Sequence, residues 1–231
     1  LVLRNKPFVV LTILYGTMTL AVALITAGLP FAAIYLILDD GTTALSGIAA
    51  GLGTMATMFA AFVVGSILSQ AVWVWASKIL GKVIALAFGL MFYVLLLYVL
   101  YLSLPSVNVT AIAGMFVLAG MANGSYQQIP WAMYPDLMDV TRLQSGETIE
   151  GAFSGIWLFG QKVANAFAPL ILSVFLASYG WLETTEGQVE QLPGAIAALQ
   201  KSITLVPAAI LVIATVMLIL VYKPMAAKVL R

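Results

Sequence analysis

The chain contains no cysteine and no histidine, and only 8% of its residues are charged. The two missing residue types exclude disulfides, soft-metal sites, imidazole general bases and the common zinc sites. The scarcity of charge excludes a soluble globule, because a chain with 63% hydrophobic residues has too little polar surface to cover one. The sequence therefore predicts an integral membrane protein with no cofactor and no metal site.

Long uncharged runs predict six membrane-spanning helices. Each span needs about 20 residues, and the run 83–135 is long enough for two spans with a turn at 104–108. The first run is too long for a secretory signal, and the start at Leu1 within a basic lead suggests a fragment. We expect one all-α domain over residues 1–231, with helices at approximately 8–37, 45–76, 83–104, 110–135, 151–181 and 202–222.

Charged residues are sorted between the two ends of these helices. If both chain ends are cytoplasmic, eight basic residues lie inside and only Lys201 lies outside, which is the positive-inside pattern. We therefore expect a plasma (inner) membrane protein with both ends in the cytoplasm. The basic residues lie along the bilayer surface and form no exposed stripe, so no nucleic-acid partner is expected. The inner set is Arg4, Lys6, Lys78, Lys82, Arg142, Lys223, Lys228 and Arg231.

Lys162 is the only formally charged side chain between Glu150 and Glu183. It lies about 18 Å along the fifth predicted helix, which is too deep for an interfacial anchor. A lysine at that depth costs roughly 2.5 to 3.5 kcal/mol and usually faces a bundle interior on an ion or substrate path. No acid lies at the same depth in the six helices. Its partner is then an acid outside this chain, water in a cavity, or a ligand.

Polar side chains form faces on three of the predicted helices. Lys162 shares one sector of the fifth helix with Gln161 and Asn165, and the fourth and first helices carry similar faces. Together they predict an aqueous cavity, although each residue could equally form an interhelical hydrogen bond. The candidates for the substrate or cation pathway on the other two helices are Asn123, Gln127, Tyr15 and Thr19.

The densest charge cluster lies between the fourth and fifth helices. Asp136 and Asp139 are three residues apart, so they could face the same way and bond backbone donors or a basic partner. We expect Pro130 and Pro135 to interrupt the fourth helix near its inner end, with Asp136 and Asp139 at the cytoplasmic end of a helix. A solvated loop with no further role would show the same charges.

The order of motifs here resembles that of the glycoside-pentoside-hexuronide cation symporters, the melibiose-permease-like group of the major facilitator superfamily. The segment PWAMYPDLMD at 130–139 is followed by a mixed-charge loop that ends at Glu150, and Lys162 follows twelve residues later. The segments NKPF at 5–8 and ASKILGK at 76–82 also fit that family. The resemblance covers the whole chain as a carboxy-terminal half.

The resemblance implies a twelve-helix transporter in a lipid membrane, with solute bound between two six-helix halves. This chain then supplies helices seven to twelve, and an amino-terminal half is its partner. The lysine matched by Lys162 lies beside a cation site whose carboxylates belong to that other half, and sodium or a proton is the expected coupling ion. The resemblance also implies a cytoplasmic gate, formed here by Asp136, Asp139, Arg142 and Glu150.

The leading hypothesis is a cation-coupled symporter for a sugar-like or other small organic solute. Two departures from the sugar permeases leave a lysophospholipid or other amphiphile possible as the substrate. Leu158 stands where those permeases have a hydroxyl residue. They also have an aromatic residue near the position of Gln127, whereas the nearest tryptophan here is Trp131, which joins the pathway candidates. A non-transporting receptor or scaffold is a third hypothesis, against which the insertion cost of Lys162 argues. An enzyme is not expected, because a Ser154–Lys162 pair would lack an evident oxyanion hole.

Overall fold

The computed structural model describes residues 2–146, 150–183 and 189–229, so Leu1 and Arg231 lie outside it. Within those ranges the ordered elements are all helical, which confirms the predicted all-α membrane architecture. Five segments are long and apolar enough to cross a membrane, and a sixth crossing is possible if two helices joined by a sharp bend act as one span.

Ten α-helices make up the described part of the chain. A π-helical turn, Leu218–Tyr222, joins the last two of them. The helices are α1 Lys6–Tyr35, α2 Ser46–Leu52, α3 Thr54–Leu68, α4 Gln70–Leu80, α5 Lys82–Ser103, α6 Val109–Ser145, α7 Glu150–Ser178, α8 Pro193–Ile203, α9 Leu205–Met217 and α10 Lys223–Val229.

The predicted helix 45–76 is divided into α2, α3 and α4. The axes of α2 and α3 differ by 111°, and the bend lies at Gly53, whose φ of +88° is a conformation that other residues rarely adopt. Gly81, with φ of +80°, separates α4 from α5 in the same way. The last predicted helix also differs, because helical structure begins at Pro193 and Lys201 lies on α8 rather than in a loop.

Helix α6 continues to Ser145 instead of ending near residue 135, so Asp136 and Asp139 lie within the helix and Arg142 is helical rather than in the loop that follows. Pro130 and Pro135 lie inside it without ending it. A proline removes a backbone donor and leaves a carbonyl unpaired in the preceding turn. The ammonium of Lys82 on α5 donates to the carbonyl of Ala132 at 2.8 Å in this stretch, which ties α5 to α6.

Two packing centres organise the bundle: α1 packs between α7 and α9, and α6 packs between α3 and α5. The contact between α3 and α6 is made by backbones, since a Cβ atom at Gly120 would overlap the carbonyl of Phe62 and one at Gly65 would overlap the carbonyl of Val117. Small residues allow this close approach of membrane helices. The apolar core therefore needs glycine at both positions.

Helix α7 lies at the edge of the bundle. In its most apolar 18-residue stretch 17% of the residues are buried, against 61% for α6. It packs on α1 near Gly16 and Gly160, where a Cβ on Gly16 would lie 3.6 Å from the carbonyl oxygen of Gly160. The buried stripe of α7 consists of Phe153, Trp157, Ala164, Ala168, Leu172 and Leu176.

Candidate solute site

A cavity of about 390 Å³ lies between the middle parts of α1, α6 and α7. Its lining brings together one polar face from each of the three helices, as the sequence predicts for an aqueous cavity. It is open on one side. The lining residues are Thr19, Val22, Ala23, Thr26, Ala27, Tyr126, Gln127, Gln161, Asn165 and Pro169.

The polar groups around this cavity are neutral amides and hydroxyls. Thr19 donates to the carbonyl oxygen of Tyr15 at 2.8 Å and lies 2.7 Å from the hydroxyl of Tyr126. Within the described residues, no hydrogen bond engages the side-chain amides of Gln127 and Asn165, and both residues are exposed. Each such amide offers two donor hydrogens and an acceptor oxygen. The cavity can therefore bind an uncharged solute with several polar groups.

Tyr15 is the centre of a hydrogen-bonded group beside the cavity. Its side chain is completely buried, and its hydroxyl oxygen accepts from the indole of Trp131 at 2.9 Å and from the amide of Gln161 at 3.2 Å. These contacts connect all three helices. Tyr15 thus holds Gln161 in place rather than lining the cavity itself.

Five aromatic rings pack together next to this group. The ring of Tyr15 stacks on Trp157 with centroids 4.3 Å apart and on Tyr126 with centroids 5.4 Å apart. Trp157 also stacks on Tyr134 at 5.0 Å and meets the edge of Trp131 at 6.0 Å. Such arrangements contribute about 0.5–1.5 kcal/mol per pair beyond burial. This aromatic cluster joins α6 to α7 on one side of the cavity.

Two buried polar atoms near the site have no hydrogen-bond partner among the described residues. They are the indole nitrogen of Trp157 and the side-chain oxygen of Asn123. An unpaired buried group costs about 1–3 kcal/mol. Asn123 is 2% exposed and does not line the cavity, so its predicted place on the solute pathway remains a prediction.

Lys162 is exposed on α7, next to Gln161 but outside the lining of the cavity. No carboxylate in the described part of the chain forms an ion pair with it. An ammonium group at mid-membrane depth needs water, a ligand or a counter-charge. Its role on the cation pathway remains a prediction, and its position leaves it accessible from the open side of α7.

The predicted cytoplasmic gate residues form two separate ion pairs. Asp136 pairs with Lys82 at 2.6 Å, and the guanidinium of Arg142 lies 3.4 Å from the carboxylate of Glu150. Asp139 is exposed and has no ion pair among the described residues. No group of three carboxylates in that part of the chain could hold a metal ion.

Four of the predicted pathway residues, Thr19, Gln127, Gln161 and Asn165, line one cavity. Sequence reasoning missed the contributions of Tyr126 and Trp157. A signal for them was present, because Tyr126, Pro130 and Tyr134 repeat every four residues, and Trp157 is four residues before Gln161. Lys82, the partner of Asp136, is 54 residues away in sequence, and no local pattern connects the two.

Two comparisons with known proteins bear on this site. A family model described as MFS/sugar transport protein matches residues 1–223. A 72-residue stretch is also similar to an uncharacterized symporter of Synechocystis sp., at 29% identity over 31% of this chain. The matched stretch spans 13% of that protein's length.

Proposed function

This chain belongs to the MFS/sugar transport protein family, and from that premise we propose that it is one half of a cation-coupled symporter for a sugar-like or other small organic solute. Solute and cation would together shift the balance between inward-open and outward-open forms, so no bond is made or broken. This agrees with the expectation that the chain is a transporter and not an enzyme.

The observation that carries the proposal is the neutral polar lining of the cavity between α1, α6 and α7. Hydroxyls and amides are distributed over all three helices, and two of the amides have no hydrogen bond in the described structure. A polyhydroxy solute presents donors and acceptors on several sides and carries no charge. The lining matches such a solute in polarity, because convergent polar groups in a cavity fix the orientation of a ligand.

The exposed face of α7 supports a second six-helix half as partner. Large apolar side chains on this face, such as Phe159, Phe167 and Val174, are more than half exposed, and Lys162 lies among them. A charged group at this depth is favourable only beside protein or water. An amino-terminal half that packs against α7 would cover the apolar residues and close the open side of the cavity.

Cation coupling would act through Lys162. A lysine with no carboxylate partner in the described residues can pair with an acid on the other half. Sodium or a proton bound at that acid would change its attraction for the ammonium group and favour one arrangement of the two halves. This gives Lys162 a role in coupling rather than in direct contact with the solute.

The orientation follows from the same proposal. Arg4 and Lys6 at the start of α1, Lys82 at the start of α5 and Lys228 in α10 lie at the same end of the bundle as Arg142. The positive-inside rule puts that end in the cytoplasm. Both ends of this segment are then cytoplasmic, in a plasma (inner) membrane.

Solute counterflow in proteoliposomes of the intact transporter tests the function. Uptake of a labelled sugar from a panel of mono- and disaccharides should depend on a sodium or proton gradient. Asn165→Leu should weaken apparent solute affinity about 2- to 10-fold, the equivalent of one hydrogen bond. Lys162→Ala should keep solute exchange and lose its dependence on the cation gradient.

A matched control is Lys201→Ala, which removes a lysine on α8 away from the cavity and should leave coupling intact. Counterflow without any cation dependence, unchanged by Lys162→Ala, would remove the coupling proposal. Loss of coupling in both lysine variants would assign the effect to net charge instead.

An amphiphile such as a lysophospholipid is the second candidate, and one observation favours it. A larger, mostly apolar cavity of about 490 Å³ adjoins the polar one, and the two share Ala27 and Pro169 in their linings. Phe31, Tyr35 and Trp181 pack edge to face at its outer part. A polar head could bind among the amides while an acyl chain occupies the apolar cavity.

Competition separates the two candidates. If the natural solute is a sugar, an excess of lysophosphatidylcholine should leave sugar counterflow unchanged. If the natural solute is an amphiphile, the lysophosphatidylcholine should occupy the polar cavity and reduce any sugar counterflow. Ile34→Gln, at a partly exposed residue that lines the apolar cavity alone, should impair only amphiphile transport. Insensitivity of lysolipid uptake to this variant would exclude the amphiphile.

A further inference from the structure

A third cavity lies at the basic end of the bundle, remote from the solute site. It has a volume of about 500 Å³ and is enclosed by the first turn of α1, the last turns of α6 and the terminal helix α10. Three cationic side chains line it, those of Arg4, Lys6 and Lys228. Nothing in the proposed transport cycle uses this cavity.

Its charge is uncompensated in the described structure. No acidic residue is among the described lining residues, and none of the three cations forms an ion pair within the described ranges. Lys82 and Arg142, at the same end of the bundle, are both paired. The first turn of the 30-residue helix α1 also carries no acid, so its partial positive charge adds to that of the side chains.

The cavity wall is held by hydrogen bonds of Asn5. Its side-chain amide donates to the carbonyl of Leu137 at 2.9 Å and to the hydroxyl of Thr141 at 2.8 Å, and its side-chain oxygen accepts from the backbone N–H of Phe8 at 3.0 Å. These bonds tie the start of α1 to the end of α6. The cavity therefore exists before any ligand binds, which reduces the ordering cost of binding.

The apolar residues of the lining indicate which kind of anion the cavity can bind. Pro7, Val140, Met225 and Val229 give the cavity an apolar side next to its cationic side. It also lies where α1 begins and α10 ends, and the ends of membrane-spanning helices reach the depth of lipid headgroups. A free anion would gain nothing from the apolar side, whereas a phospholipid presents a phosphate and an apolar glycerol–acyl region together.

We propose that this cavity binds the headgroup of an anionic phospholipid of the cytoplasmic leaflet, with the phosphate among Arg4, Lys6 and Lys228 and the glycerol region against Pro7 and Met225. Basic pockets between membrane helices on the cytoplasmic side bind anionic lipid headgroups in this way. The inference rests on the orientation proposed above and not on the identity of the solute.

Native mass spectrometry of the intact protein with added phosphatidylglycerol or phosphatidylcholine tests the proposal. Phosphatidylglycerol should bind more tightly than phosphatidylcholine. Each removed cation should weaken binding about 5-fold, since a basic residue near anionic lipid contributes about 1 kcal/mol. Lys6→Gln/Lys228→Gln should therefore weaken it about 25-fold, and Lys6→Arg/Lys228→Arg should retain it.

The charge-matched control is Lys78→Gln/Lys223→Gln, which removes two cations at the same end of the protein that do not line the cavity. An equal loss in this control would overturn the proposal, because the attraction would then be a general surface effect. Equal binding of the two lipids would overturn it as well.

If a double variant folds poorly, the melting temperature measured with and without ligand provides a second test. Phosphatidylglycerol should raise the melting temperature of the parent protein and of Lys78→Gln/Lys223→Gln, and should raise that of Arg4→Gln less. Inorganic phosphate should give no comparable shift. An equal shift with inorganic phosphate would assign the cavity to a soluble anion and overturn the lipid proposal.

Discussion

The two sides of α6 differ in how they meet their neighbours. On one side, Gly120 of α6 and Gly65 of α3 let the two helices approach so closely that a Cβ atom at either position has no space. On the other side, Tyr126 and Gln127 border a cavity, and Gln127 makes no hydrogen bond in the described structure. Helix α6 thus carries a tightly packed face and a polar, cavity-lining face a few residues apart.

This difference teaches which substitutions should damage the fold and which should damage only transport. The packing face tolerates no larger side chain, because each atom added there must displace the backbone of the neighbouring helix. The cavity face keeps polar groups that the fold does not need. Stability and activity should therefore separate between the two faces, and four experiments on α6 and its neighbours test that separation.

The largest loss of stability should come from Gly120→Val. The added side chain would overlap the backbone of Phe62, and overpacking of this kind costs more than about 3 kcal/mol when no rotamer relieves it. Gly114→Val is the matched control on the same helix, since nothing lies within 4 Å of a Cβ there. Thermal unfolding in detergent should show a large loss for the first and a small one for the second. Equal losses would mean that α3 and α6 do not touch as described.

Tyr15→Phe should have the next largest effect. Without the hydroxyl, the indole of Trp131 and the amide of Gln161 each lose an acceptor. Trp131 is 37% exposed and Gln161 is half-buried, so the lost bonds should cost about 0.5–1.5 kcal/mol. Unfolding should become easier by an amount in that range, and solute affinity should also fall because Gln161 loses its anchor. Unchanged affinity would show that Gln161 does not contact the solute.

The Lys82–Asp136 pair should contribute less. Both side chains are about 40% exposed, and ion pairs at that exposure are worth about 0.2–1 kcal/mol. A double-mutant cycle with Lys82→Met and Asp136→Leu should give a coupling energy in that range. The single Lys82→Met change should cost more than Asp136→Leu, because it also removes the bond to the carbonyl of Ala132. The reverse order would contradict that role of Lys82.

Gln127→Leu should leave stability nearly unchanged, within about 0.5 kcal/mol, because its amide bonds nothing in the described residues. It should nevertheless weaken solute counterflow, since the amide borders the cavity. Gln127→Leu should therefore change counterflow more than unfolding, whereas Gly120→Val should chiefly change unfolding. A destabilisation as large as that of Tyr15→Phe would erase the distinction between the two faces of α6.

The sequence predicts the polar faces well because helical geometry is regular. A spacing of three or four residues is enough to put Gln161 and Asn165 on one side of α7, and both line the cavity. The same geometry says nothing about where the neighbouring helix lies. For that reason it could not show that Gln161 lines the cavity while Lys162, the next residue, points elsewhere.

Two features of the fold escaped the sequence for different physical reasons. The charge cluster after Pro135 favoured a loop, yet α6 continues to Ser145, and Lys82 from a different helix contacts it at Asp136 and at the carbonyl of Ala132. In the sequence, Gly53 lies inside an apolar run that predicts one continuous helix. In the structure its positive φ bends the chain there and ends α2 before α3 begins. Both outcomes depend on long-range contacts or backbone angles that a single-residue pattern does not encode.

The unpaired indole N–H of Trp157 has a mechanical consequence for the aromatic cluster between α6 and α7. Trp157 contacts Tyr15 and Tyr134 by stacking alone, so its ring can move without breaking a hydrogen bond. When these rings separate and water enters, the indole N–H gains an acceptor worth about 1–3 kcal/mol, which offsets part of the lost contact. Separating α6 from α7 should therefore cost less free energy than the contacts of five large aromatic rings suggest.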